Sequence, residues 1–518
     1  MSLLTLKPQP PKPPPSPELP SDVAELQALV AQLRAQVAYL TRKLFGRRRE
    51  KLTDDPHQGR LLGGADPAAE PAQEQAPEGE DDDGATRRRR RHRGRRPLPA
   101  HLRREIHEIH PPAEERTCPE CGAAKVIFGQ DVTEELEVVP AQFFVNRYVR
   151  YKYACRHCQG HVSVGPLPPR PLDKGIPGPG FLAQLVTSKY ADALPLYRQQ
   201  QIYRRYGLEL PRSTLGGWVD YVATTLAPIV EVMKSGVRSS RKVHTDDTPI
   251  TVLDPSVQPI GSRRGYLWVY IGEHDDVVFD YTNSRKRDGP ESFLEGYRGY
   301  LQADAFAGYN RIYAGGEVVE VACWAHARRK FFDAQSSHAP EAKRVLALIG
   351  RLYAVERRAQ ARGLAPERLL AWRQRFARRR LARLRVELDR LALVVLPRSP
   401  LGEALGYTLN NWQALTRYTE ASFLAIDNNH SERQIKQLVI GRKNWLFAGS
   451  ETGAENAALL YSLVVSCKLA DVDPFAYFRD VLLRIATHPA DRLGELIPRV
   501  WKTRYHPAAL APAPPPRR

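Results

Sequence analysis

The chain has 518 residues, more than one ordinary domain holds, and several compositional breaks divide it into three or more parts. Its 77 Lys and Arg against 58 Asp and Glu give a formal net charge of +19, which favours a polyanionic partner, with nucleic acid ahead of an anionic membrane surface. The longest apolar runs, such as "LALVVL" from Leu391, are far too short to span a bilayer, so no membrane partner is expected.

The first segment, 1–20, is a proline-rich tail without the apolar core of a signal peptide, and a cytoplasmic protein is expected. In 21–52, Val23, Leu26, Val30, Leu33, Val37, Leu40 and Leu44 recur at steps of three and four. This is the a/d seam of a coiled coil about three heptads long, with an amphipathic helix packed on its own chain as the alternative. Residues 53–100 form a linker, acidic through "EGEDDDGA" and then basic in "RRRRRHRGRR", where Arg87 and Arg88 begin a candidate DNA-contacting arm.

In 101–165, Cys118 and Cys121 form one C-x-x-C pair and Cys155 and Cys158 another. The run from Glu137 to Tyr153 between them alternates like a β-hairpin. Six cysteines are too few for a disulfide scaffold of this length, and four thiolates on two knuckles make a closed tetrahedral Zn²⁺ site, that of a zinc ribbon. Residues 175–238 carry two helical patterns separated by Gly207 and a Ser213 N-cap, which reads as helix-turn-helix-like or as an ordinary antiparallel helix pair.

From 239 to 334 the texture changes to short strands: "HTDDTPITVL", "RGYLWVYIG" and "DVVFDYT", then a helix in "PESFLEGY", then "GYLQADAFAGYN" and "EVVEVACWAH". These predict a mixed α/β sheet. Residues 335–405 are helical and arginine-rich and read as an insertion, 406–450 return to the α/β part, and 451–518 are a helical C-terminal region and tail.

Three acids lie where a sheet presents carboxylates at strand ends: Asp246 on the first strand, Asp304 after a later one, and Glu432 near a helix start. Hard carboxylate ligands suit Mg²⁺ or Mn²⁺, and two such ions roughly 3.5–4 Å apart serve in-line phosphoryl transfer. On spacing alone the three are not distinguished from surface acids. Asp246 and Asp247 are adjacent on one strand, so at most one faces the site.

The strings "LFGRRREKL", "SKYADALPLYRQQQIY", "HTDDTPI", "LQADAFAGYN", "VACWAHARRKFFD", "DNNHSERQIKQLVIGRKNWLFAGS" and "YSLVVSCKLADVDPFAYFRDVL" resemble the transposase of the insertion-sequence-66 family of bacterial mobile elements. The resemblance covers about residues 40–485 apart from the charge-biased linker. It implies a DDE transposase with an RNase H-like catalytic domain, preceded by a leucine zipper, a zinc-binding region and a helix-turn-helix. Metal-binding catalytic acids fall on Asp246, Asp304 and Glu432. It also implies element ends and target DNA as partners, a homo-oligomer, accessory proteins of the same element and association with the nucleoid.

One departure is visible: where the family reads His-Ala-Asp-Glu-Thr-Pro, this chain has His244, Thr245, Asp246, Asp247, Thr248, Pro249. Asp246 is therefore assigned to metal and Asp247 to supporting or helix-capping work. Cys323 and His326 in "CWAH" are read as packing at a helix start, with metal ligation as the alternative. Arg328, Arg329 and Lys330, and Arg442 and Lys443 beside Trp445, are candidate DNA contacts, and Asn428 and Asn429 candidate caps for the helix of Glu432. Two further classes stay open: a catalytically silent regulator that binds element ends, and a non-integrating metal-dependent nuclease.

Overall fold

The computed structural model describes residues 176–505 apart from 260, together with 106, 120, 123–124, 142–153, 163–164 and 170–172. The coiled-coil seam, the basic arm and all four paired cysteines lie outside the described residues. The chain divides into two compact units, one of which is Lys51–Val149.

In that unit the described stretch 142–149 has no helix or strand, although a hairpin is expected across it. Phe144 is 81% and Val145 91% exposed, and a two-stranded ribbon without apolar cover is marginal. In the other unit, Lys152–Tyr153 (β1) pairs antiparallel with Ser163–Val164 (β2).

Three helices follow: α1 (Pro179–Tyr190), α2 (Leu196–Arg205) and α3 (Arg212–Arg238). The expected Ser213 cap is displaced by Pro211, which stands at the N-cap of α3 and places Ser213 inside the first turn. Proline's fixed φ suits entry into a helix, so the chain turns helical two residues early. Leu215, Val219, Val222, Leu226, Ile229 and Met233 form one buried stripe along α3.

The sheet begins with β3 (Lys242–Leu253), β4 (Ser262–Ile271) and β5 (Val277–Thr282), an antiparallel meander. A short helix, α4 (Asp288–Phe293), leads to β6 (Gly299–Gln302), and α5 (Asn310–Ala314) leads to β7 (Val318–Val321). The strand order is β5-β4-β3-β6-β7, with β3, β6 and β7 parallel, which meets the expectation of a mixed sheet. Strand β4 is buried on both faces from Leu267 to Ile271, as a central strand covered by helices must be.

After β7 come α6 (Trp324–Ala334), α7 (Ala339–Ala361), α8 (Pro366–Trp372), α9 (Arg378–Ala392), α10 (Pro400–Asn410) and α11 (Trp412–Thr416). Helices α7 and α9 pair through Val345, Ile349 and Leu352 against Leu381, Leu384, Leu388 and Leu391, both sets at three- and four-residue steps. Buried Arg373 locks the base of this hairpin: it pairs with Glu356 at 2.7 Å and donates to the carbonyls of Tyr418, Ala421, Ser422 and Leu424.

The chain then returns to the sheet. Helix α12 (Asn429–Trp445) packs on β3, and β8 (Phe447–Ala448) pairs with β3. Helix α13 (Glu451–Leu469) covers the edge strand β5, where Ser466 and Ser462 accept hydrogen bonds from the amides of Val277 and Phe279 at 3.0 and 2.8 Å. An edge sealed in this way cannot recruit a foreign strand. Helices α14 (Pro474–Arg484) and α15 (Pro498–Tyr505) close the described chain. Among the described residues no helix is long and apolar enough to cross a membrane.

Candidate active site

One edge of β3 has a gap. Strand β6 pairs with β3 at Lys242–His244 and β8 at Thr251–Val252, so the backbone between them, which carries Asp246 and Asp247, is left to other elements. Two segments meet there: the loop after β6 and the start of α12.

The two aspartates leave opposite faces of the strand, and their neighbours show which face is which. On the even-numbered face, His244 Nδ1 lies 2.9 Å from Asn428 Oδ1, and Thr248 Oγ1 accepts from Arg442 Nη1 at 3.0 Å, so this is the α12 side and the side of Asp246. On the odd-numbered face, Thr245 Oγ1 is 3.4 Å from the Tyr309 hydroxyl, and Asp247 receives Arg285 Nη2 at 2.7 Å. The Arg285 guanidinium also lies 4.3 Å from the centre of the Phe306 ring. Asp247 thus works through an ion pair with Arg285, not as a helix cap.

Asp304 sits two residues beyond β6. The parallel register places Gln302 beside His244, so the loop that carries Asp304 leaves β6 next to β3. Gln302 fixes this end of the strand, since its amide donates to the carbonyls of Ala425 and Asp427 and accepts from the Ala425 amide. Asp304 Oδ2 is 3.9 Å from Arg285 Nη2, so one guanidinium reaches toward both acids. Glu432 lies in the first turn of α12, where the helix dipole favours a carboxylate. His326 Nε2 is 3.8 Å from Glu432 Oε1, and His326 Nδ1 is buried without a hydrogen-bond partner among the described residues.

The charges of these groups are felt across the cleft. Burial pushes the Asp246 carboxyl up to about 8, with the negative charges of Asp304, Glu432 and Asp247 acting in the same direction and a hydrogen bond from the Asp247 amide opposing them. Asp304 is raised by burial and drawn back by His326 and Arg285. Four acids from three parts of the chain therefore share one partly desolvated space, an arrangement that favours a bound cation. The donors are hard oxygens of the kind Mg²⁺ and Mn²⁺ prefer. As they stand, no three His, Cys, Asp or Glu side chains among the described residues converge tightly enough to hold a metal ion.

Asn428 does more than the expected capping. It stands at the N-cap of α12 without a side-chain cap bond. Its Nδ2 donates to the Thr245 carbonyl at 2.8 Å while Oδ1 meets His244, so it ties the start of α12 to β3. The amide of Asn429 is satisfied by Asp427 Oδ1 at 3.2 Å. Cys323 is fully buried at the N-cap of α6 and accepts from the Asn428 amide at 3.1 Å. Burial pushes its thiol up to about 12, so it packs as a neutral group.

Among the basic candidates, Arg329, Lys330 and Lys443 are exposed, and Arg328 is half-buried. Arg442 is engaged inside the fold, donating to Thr248 and to the Pro249 carbonyl. Arg285 escapes a sequence reading because "NSRKRDG" has the look of a polar turn, with no spacing that marks one arginine from the next.

Comparison with known proteins adds a second line of observation. Residues 174–456 match the Transposase IS66 family. Residues 115–159, which include all four paired cysteines, match the zinc-finger binding domain of transposase IS66. Residues 32–106 match the Transposase C of IS166 homeodomain, and 462–499 the IS66 C-terminal element. The chain is 34% identical to the Sinorhizobium fredii uncharacterized protein y4jD over 492 residues, covering 90% of this chain and 93% of the relative. It is 33% identical to y4hP of the same organism over 438 residues, covering 79% and 77%.

Proposed function

Because the chain belongs to the transposase IS66 family, we propose that it is a DDE transposase that binds the ends of its element, cuts one strand at each end and joins the freed 3′ hydroxyl to target DNA. Asp246, Asp304 and Glu432 are the catalytic carboxylates of this reading. The observation that carries it is electrostatic: the negative charges of Asp304 after β6 and Glu432 on α12, residues far apart in sequence, act on the buried carboxyl of Asp246 on β3. An antiparallel β5-β4-β3 meander continued by parallel β6 and β7 supports the RNase H-like fold that the family implies.

In the first step a water oxygen attacks the phosphorus and the 3′ oxygen leaves. In the second that 3′ oxygen attacks a target phosphorus and displaces another 3′ oxygen. Mg²⁺ or Mn²⁺, held by Asp246, Asp304 and Glu432, would supply activation of the attacking oxygen and charge stabilisation of the leaving one. The protein's own part is to aim the carboxylates. Asn428 fixes the start of the Glu432 helix against β3, and Gln302 fixes the strand end that precedes Asp304. Arg285 pairs with Asp247 and reaches toward Asp304, so it ties the two strand-end acids together.

Cys118, Cys121, Cys155 and Cys158 hold a structural Zn²⁺ in this reading, supported by the zinc-finger match over 115–159. The seam from Val23 to Leu44 pairs two copies, so that two ends meet in one complex, and accessory proteins of the element join it. The test is incubation of a labelled duplex carrying the element's terminal repeat with the protein, Mg²⁺ and a target plasmid. Joined products support transposition, nicking without joining supports a nuclease, and binding without nicking supports a silent regulator.

A further inference from the structure

The helical hairpin between β7 and α12 carries a second basic feature, remote in sequence from the catalytic acids. Leu348 and Arg351 on α7 and Phe376, Arg379, Arg380 and Arg383 from the opposite arm line an open cavity of about 480 Å³. Arg351, Arg379 and Arg383 are exposed, and none makes a hydrogen bond or ion pair with the described residues. Neighbouring arginines behave differently: Arg344, Arg385 and Arg390 pair with Glu341, Asp389 and Glu387, and Arg373 with Glu356.

Like charges one helical turn apart, such as Arg379 and Arg383, are unfavourable in an isolated helix. Here they stand together because the helix is re-phased just before them. Residues Arg373–Ala377 form a π-helical turn between α8 and α9, and such insertions are frequent at functional sites. The extra residue rotates the helix beyond it. Arg373 stays in the core, while Arg379, Arg380 and Arg383 fall on one side with Arg351 opposite. Arg380 keeps one guanidinium nitrogen on the Phe376 carbonyl at 2.7 Å, which steadies its stem in the groove.

We propose that this arginine groove binds the phosphate backbone of double-stranded DNA as a contact surface separate from the catalytic cleft. The inference rests on DNA being the partner. The planar guanidinium suits phosphate oxygens, and four arginines in a lining that contains no carboxylate, three of them without a partner among the described residues, present a cationic surface to a polyanion. The lining carries cationic forks and two apolar side chains, and the contact proposed for it is to phosphate oxygens, which carry no sequence information.

The test uses the full chain and a 30-base-pair duplex that lacks the element's terminal repeat. Binding is measured against salt for the wild type, for the triple variant Arg351→Gln, Arg379→Gln, Arg383→Gln, and for a charge-matched control, Lys343→Gln, Arg357→Gln, Arg368→Gln, at exposed positions outside the groove. Each phosphate contact adds about −0.9 to the log–log salt slope. The triple variant is expected to flatten the slope by up to about 2.7 and to bind at least about tenfold more weakly at 0.1 M salt, while the control stays near wild type. Equal behaviour of the two variants overturns the groove proposal and leaves the transposase reading standing. A wild type that does not bind the duplex overturns the groove proposal, while the transposase reading stands or falls on the joining assay with the terminal repeat. A triple variant that keeps duplex binding but loses poly-L-glutamate makes the groove a site for an acidic protein and overturns the proposal. Unchanged thermal unfolding of the variants confirms that folding is not the cause.

Discussion

His244 and Asn428 form a fully buried pair in which the tautomer of the imidazole is set by the other end of the amide. Because Asn428 Nδ2 donates to the Thr245 carbonyl, Oδ1 is the atom that faces His244, so His244 Nδ1 carries the proton. The ring is neutral, since burial and then Lys242 lower it to about 3. Asn428→Ala strands a buried N–H and a buried carbonyl at a cost of roughly 1–3 kcal/mol each. It is expected to lower thermal stability and, by loosening the start of α12, to slow element-end cleavage by roughly 10–100-fold. Cleavage at wild-type rate in a folded Asn428→Ala protein would show that the helix start is held by other contacts.

The Asp247–Arg285 pair sets a contrast between neighbouring acids. Asp247→Asn keeps the volume and weakens the ion pair with Arg285, which also reaches toward Asp304, so cleavage is expected to fall by roughly 10–100-fold, short of complete loss. Arg285→Gln is expected to resemble it, because the same pair is broken from the other side. A dead Asp247→Asn beside an active Asp246→Asn would reverse the assignment of faces.

Metal-free protein should reveal Asp246 through pH. Its carboxyl is raised to about 8 in the fold against about 4 in an unfolded chain, so the folded state binds the extra proton between these values. This stabilisation is fully present below pH 4 and is lost as pH rises through 8. Asp246→Asn mimics the protonated form. In EDTA its melting temperature is expected to match wild type at pH 4 and below and to exceed it by several degrees at pH 8, and Mg²⁺ should raise the wild type alone. Parallel melting curves at both pH values would contradict the shift.

Zinc content provides a prediction independent of the catalytic cleft. The purified, reduced protein is expected to contain about one equivalent of Zn²⁺, and Cys118→Ser to release it with local unfolding, because structural zinc supplies folding energy. A folded wild type without zinc would remove the four-cysteine site.

How much the sequence disclosed depended on physical range. The succession of strands and helices along the chain around Asp246 was legible because alternation and β-branched runs are local, and strand parity alone put Asp246 and Asp247 on opposite faces. Local signals misled where a partner lies far along the chain. Asn428 looks like a helix cap in "DNNHSERQ", but its side chain is claimed by His244 and Thr245, more than 180 residues away. Arg442 looks like a free cation next to Lys443, yet its guanidinium is used on β3. The run from Glu137 alternates like a strand, but among its described residues only Lys152–Tyr153 forms one, and Phe144 and Val145 are exposed. Arg285 had no pattern to betray it, and only the folded chain sets it between Asp247 and Asp304.

If Asp246, Asp304 and Glu432 act as one catalytic unit, cleavage of a labelled element end in Mg²⁺ must depend on all three, and it is measured for the wild type and for Asp246→Asn, Asp304→Asn and Glu432→Gln. Loss of about 4 kcal/mol of transition-state stabilisation lowers the rate roughly a thousandfold. Each variant is expected to fall at least that far while still binding the element end, and the triple variant to be little worse than any single one, because groups that act together are not additive. Cleavage within about tenfold of wild type by any of the three, in a protein that still binds the end, would show that the carboxylates do not form such a unit.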